Sequence, residues 1–215
     1  RQWEQAATVL ENFRRDHPQH ELQPEVTRNL AVAYLEGGQQ RKAAIELERV
    51  AARVAEDAEV RRTALWQAAE LYRSSGDATS AARVYAEYVK RFPDPFDVAQ
   101  EARHELADLA TTTGNPAARQ KWLQEIVSAD AAAGAARTDR SRFLAANAAL
   151  ELARPLDSAA RAIRLAIPLD KSLRAKRKAM EAALGAYGKV EEYGVAQVST
   201  AATYAMADLY RHLGK

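Results

Sequence analysis

Apolar side chains recur along this chain three and four residues apart, and the recurrences fall into phrases that repeat. "AARVYAEYVKRFPDP" at residues 81–95 echoes "AATVLENFRRDHP" at 6–18: small residues, then large apolar ones, a basic pair and proline. Spacings of three and four put side chains on one face of a helix. Ala81, Tyr85 and Tyr88 form such a face, and Ala43, Leu47 and Val50 form its counterpart 38 positions earlier. A second phrase precedes each of these. Leu30 with Ala31, Ala68 with Ala69, and Leu106 with Ala107 are followed by Tyr34, Tyr72 and Ala110, and then by Gly38, Gly76 and Gly114, again 38 apart. "AMADLYRHLG" is a further copy, closing at Gly214. Proline follows the second helix at Pro18 and Pro93, where it ends a helix. Each unit therefore reads helix, glycine turn, helix, stop. A period of this size belongs to stacked arrays, because one unit alone buries too little of its apolar face.

The pattern predicts an all-α chain of about 11 helices, an α-solenoid of helix pairs. Its expected parts are a second helix at 1–18, helix pairs at 22–55, 60–93, 98–133 and 138–167, a long atypical helix at 169–193, and a first helix at 195–213. In the pair at 138–167, Arg154 and Pro155 stand where the glycine turn is expected. Opening in a second helix and closing in a first, residues 1–215 read as one segment of a longer solenoid, so a leader or lipid anchor upstream is an open expectation.

Composition agrees with long helices. Hydrophobic residues make up 47% of the chain but aromatic ones only 7%, so much of the apolar content is alanine, the best helix former. Nine glycines and seven prolines leave few breaks. Without cysteine there is no disulfide framework and no thiolate metal site. No apolar run is long enough to span a bilayer.

These residues resemble the tetratricopeptide repeat. Leu65, Ala68, Ala69, Tyr72, Ala81, Tyr85 and Pro93 fit seven of its eight signature positions, and Tyr88 replaces the usual small residue. The unit near 24–57 fits at Ala31, Tyr34, Ala43 and Leu47 but has Val50 and Ala55 at the last two positions. The resemblance implies a right-handed α-solenoid with a concave face built from the first helix of each unit. Its groove candidates are Arg28, Val32, Trp66, Glu70, Arg73, His104, Asp108 and Tyr204. Trp66 and Tyr204 are either anchors for a partner or core residues. More narrowly, "AGAARTDRSRFLAANAALELA" with "PLDKSLRAKRKAMEAALGAYGKVEEYG" is similar to outer-membrane tetratricopeptide lipoproteins of gammaproteobacteria that serve as adaptors of a periplasmic carboxyl-terminal processing protease. That likeness implies protein partners, namely the protease and cell-wall hydrolase substrates. It also implies a periplasmic site tethered to the outer membrane, with membrane contact only through an anchor outside this chain.

Catalytic motifs do not emerge. "HPQH" at 17–20 brings two imidazoles near each other, but its proline and its place between helices suit a connecting loop. "RHELAD" lacks the second histidine of a zinc-protease helix, since Asp108 stands there. No phosphate-binding glycine loop and no nucleophile elbow occurs. The expectation is a non-enzymatic chain without cofactor or metal.

Charge is unevenly spread. Residues 1–136 hold 17 Lys and Arg against 21 Asp and Glu, whereas 137–189 hold 12 against 5. The excess gathers at Lys171, Arg174, Lys176, Arg177 and Lys178. This basic patch supports the alternative of a cytosolic regulatory array binding an acidic partner or, less readily, nucleic acid.

Overall fold

The computed structural model describes residues 2–213 and is all-helical over that range. Gly214, which closes the last copy of the pattern, lies outside the described residues. Ten α-helices follow one another: α1 (Gln2–Asp16), α2 (Gln23–Glu36), α3 (Gln40–Ala52), α4 (Ala58–Ser74), α5 (Ala78–Arg91), α6 (Phe96–Thr112), α7 (Pro116–Ala132), α8 (Asp139–Ala162), α9 (Leu169–Glu191) and α10 (Ala196–Leu213). They form two units, Arg1–Pro93 and Asp94–Lys215.

The glycine turns have a common construction. Gly38, Gly76 and Gly114 adopt φ of 72°, 78° and 66°, a left-handed backbone that side chains disfavour. At Gly76 the glycine N–H donates to Arg73 O (3.1 Å), and the next N–H, of Asp77, donates to Tyr72 O (2.9 Å). The same pair of bonds recurs at Gly38 with Gln39 and at Gly114 with Asn115. This is the Schellman closure, which satisfies the last carbonyls of the outgoing helix. Asp77 and Asn115 then cap the incoming helix, their side chains accepting from Ser80 N and Ala118 N.

In the first unit, Ala7, Val26, Leu30, Ala33, Tyr34 and Ala43 join α1, α2 and α3 in one buried cluster. Ala81, Tyr85 and Tyr88 are buried in α5, as their spacing predicts. Two tyrosines repeat a further contact: Tyr34 OH donates to Glu11, and Tyr72 OH donates to Glu48 Oε1 at 2.7 Å, each reaching back to the preceding helix. The buried Glu46 carboxylate accepts from both terminal guanidinium nitrogens of Arg14, at 2.8 and 2.6 Å, and from Arg49 at 2.7 Å.

The second unit corrects one expectation. Residues 138–167 do not form a helix pair. Residues 139–162 are a single helix, α8, with Pro155 inside it. A turn of the glycine type requires a residue at positive φ, and among the described residues no non-glycine takes one. Instead the apolar face runs straight through: Ala146, Leu150 and Ala153 pack with Tyr187 and Val190 of α9 and Val198 and Ala202 of α10, and Ala160 continues with Met180, Ala183 and Leu209. Burial on that face outweighs the single hydrogen bond lost at Pro155. The long helix expected at 169–193 is present as α9, paired with α8.

Candidate functional site

In the first unit, the expected groove residues fall on α2 and α4. Val32 is 50% exposed and Leu35, three residues on, is exposed as well, so α2 leaves apolar area in water. Arg28 is not a free cation: its guanidinium holds Glu56 Oε1 at 2.6 Å and Glu25 Oε1 at 3.0 Å. Glu70 and Arg73 are exposed on α4. Trp66 is half-buried, its ring edge-on to Tyr85 at 5.4 Å and to Tyr88 at 5.3 Å between centroids. Trp66 therefore completes the α4–α5 core with one part of its ring and offers the rest to solvent.

In the second unit, His104 and Asp108 lie one turn apart on α6 with Nε2 and Oδ2 3.6 Å apart, and Asp108 is exposed. Tyr204 on α10 is 71% exposed. The five cations of the basic patch do not act together. Lys171, Arg174 and Lys178 share the outward stripe of α9 and enter no ion pair among the described residues. Arg177 pairs with Glu181 at 3.0 Å. Lys176 points the other way and is buried, donating from Nζ to Ile163 O at 3.0 Å. This corrects the expectation of one solvated patch: a spacing of two residues from Arg174 to Lys176 carries the side chain around to the core side of the helix.

The periodicity does not reveal an open cavity of about 430 Å³ lined by α7, α8, α9 and the loops beside them. Its floor is apolar, with Val127, Leu152, Ala153 and Leu156. Its polar side is organised around Asp130, whose side chain is fully buried. Asp130 Oδ1 accepts from Ser141 Oγ at 3.0 Å, and Arg137 reaches Oδ2 at 2.8 Å. The same guanidinium lies 5.2 Å from the centre of the Tyr193 ring. Burial, and next the charge of Asp130, raise the Tyr193 phenol above its ordinary pKa, so it remains a neutral donor at physiological pH. Lys189 and Glu192 border the cavity and form no ion pair with each other or with any other described residue. The arrangement offers an apolar slot with one fixed ion pair and two uncommitted opposite charges, which suits a side chain and the polar backbone beside it. One sequence signal was available: Asp130 is the only charge in "SADAAAGAA", where an acid among small residues marks a buried partner for Arg137.

Among the described residues no group of His, Asp and Glu has the clustering needed to hold a metal ion, and no helix is long and apolar enough to cross a membrane.

No curated protein matches the chain. Thirteen chains of solved structures are similar to it, among them the following two. A tetratricopeptide repeat protein from Parabacteroides merdae ATCC 43184 is 17% identical, with 99% of this chain and 68% of that one covered and a TM-score of 0.42. BtubC (BKLC) from P. vanneervenii is 13% identical, with 99% and 90% covered and a TM-score of 0.41. Among family models, the one described as tetratricopeptide repeat matches residues 63–95, the stretch that holds most of α4, the Gly76 turn and all of α5.

Proposed function

We propose that this chain is a non-catalytic scaffold that binds partner proteins, and that its partners belong to the bacterial envelope. The observation that carries the reading is the cavity over α8. An apolar slot of about 430 Å³ bordered by the uncommitted Lys189 and Glu192 is suited to an anchoring side chain of a partner, and helical repeats commonly present such surfaces. The exposed Val32 and Leu35 on α2, and the open part of the Trp66 ring, supply further apolar area in the first unit. Within this reading the partner is a periplasmic carboxyl-terminal processing protease, which the chain activates and supplies with cell-wall hydrolases. That part rests on the likeness of residues 133–153 and 168–194 to envelope adaptors.

The test is calorimetric titration of the purified protein with such a protease. Binding is expected, and Leu156→Asp, at the 40%-exposed edge of the cavity floor, should weaken it by about tenfold or more. Unchanged affinity in that variant removes the cavity from the interface. Absence of any binding to the protease overturns the adaptor role itself.

A further inference from the structure

Lys176 is an unusual charge for a helical array. It is 7% exposed, its ammonium makes a single hydrogen bond, to Ile163 O, and no carboxylate pairs with it among the described residues. Buried ammonium groups ordinarily carry a counter-charge, because one carbonyl does not replace the hydration that is lost. Lys176 lines a cavity of about 630 Å³ together with Arg161, Arg164, Leu165 and His212. Arg161 is already committed, to Asp157 at 2.8 Å and to Asp208 at 2.9 Å. Arg164 has no ion pair among the described residues, and His212 Nδ1 is buried without a hydrogen-bond partner. Two cations without counter-charge and an unused imidazole nitrogen thus share one cavity. An oxyanion such as phosphate supplies the missing charge and several acceptor oxygens.

The wall of this cavity is the loop between α8 and α9, which is strapped to α9. Ser172 Oγ accepts from Ala166 N at 3.1 Å and donates to Ala166 O at 2.8 Å, and Lys176 holds Ile163. Although fixed in this way, the loop leaves Leu165 48%, Ile167 98% and Leu169 54% exposed. Apolar side chains held out beside a cationic cavity match an amphiphile, with its head on the cations and its hydrocarbon next to them. A protein interface fits less well, since lysine is depleted from interface cores. A nucleic acid fits less well again, since "IRLAIPL" offers no aromatic ring for a base to stack on.

We propose that this corner of the second unit docks on an anionic lipid surface. A lipid phosphate enters the cavity against Lys176 and Arg164, and Leu165 and Ile167 enter the boundary between headgroups and acyl chains. This contact is independent of the protein-scaffold reading and adds a direct membrane contact within the chain.

The experiment is co-flotation of the purified protein with vesicles of phosphatidylcholine alone and of phosphatidylcholine mixed with phosphatidylglycerol. Binding is expected to the mixed vesicles only. Lys176→Met and Arg164→Ser should each weaken it by about fivefold, the size of one basic residue at an anionic surface. Ile167→Ser should weaken it as well, which diffuse charge attraction does not predict. Lys178→Ser, on the opposite face of α9, should change it little. Equal binding to neutral vesicles overturns the proposal, as does a loss at Lys178 that matches the loss at Lys176. Absence of vesicle binding, with thermal protection by inorganic phosphate instead, assigns the cavity to free phosphate and overturns the lipid. If Lys176→Met fails to fold, Arg164→Ser and Ile167→Ser decide the matter by the same readout.

Discussion

Gly76 shows how a single residue carries the repeat. Its φ is 78°, and a Cβ built on it meets nothing within 4 Å, so the cost of any side chain there is conformational and not steric. Gly76→Val is therefore expected to destabilise the first unit by about 1 kcal/mol or more, seen as a lower thermal midpoint by circular dichroism. An unchanged midpoint would show that the turn tolerates a side chain. Trp66 is a contrasting case. Helical spacing assigns it a face of α4 but leaves open what fills that face. Its edge-on contacts with Tyr85 and Tyr88 depend on how α5 returns against α4, which no local pattern specifies. Lys176 was legible as a charge and illegible as a buried one, because its burial comes from a loop whose path is set by Ser172 and Ile163.

Among the elements, α8 departs furthest from the repeating pattern. The glycine period predicts a break at Arg154 and Pro155, yet residues 139–162 continue as one helix. Proline within a helix removes one backbone donor and crowds the preceding turn, so here it is a weakness within an element that tertiary packing maintains. Pro155→Ala is expected to raise the thermal midpoint, with a gain of about 1 kcal/mol after the looser unfolded chain is allowed for. A fall in the midpoint would mean that the helix needs the proline's local geometry. The remaining boundaries were accessible from sequence wherever a cap or stop was present: Asp77 and Asn115 open α5 and α7, and glycine closes α2, α4 and α6.

Over the whole molecule, both units use buried tyrosines whose hydroxyls reach carboxylates. Burial, then the bond to Glu11 or Glu48, raises Tyr34 and Tyr72 above their ordinary value near 10. Burial, then the charge of Asp157, pushes Tyr187 up to about 12. A folded-state pKa above the unfolded one gives stability that is complete below the unfolded value and lost as pH rises through the folded value. Denaturant midpoints are therefore expected to hold up to about pH 10 and to fall from there through about pH 12, in parallel with tyrosinate absorbance. A midpoint that stays level over that range would show that these hydroxyls are not buried in solution.

The all-helical class, the period of 38, the three left-handed turns and the inward faces of α2 to α6 were legible along the chain, because each is a local property of spacing, propensity or backbone freedom. Tertiary structure decided the rest. It made α8 one helix through Pro155, joined Asp130 of α7 to Arg137 of the loop before α8, and turned Lys176 away from the other cations into a cavity. These outcomes depend on contacts between residues distant in sequence or on different elements, where the free energy of burial is shared among helices. No single stretch of the chain encodes such a sum.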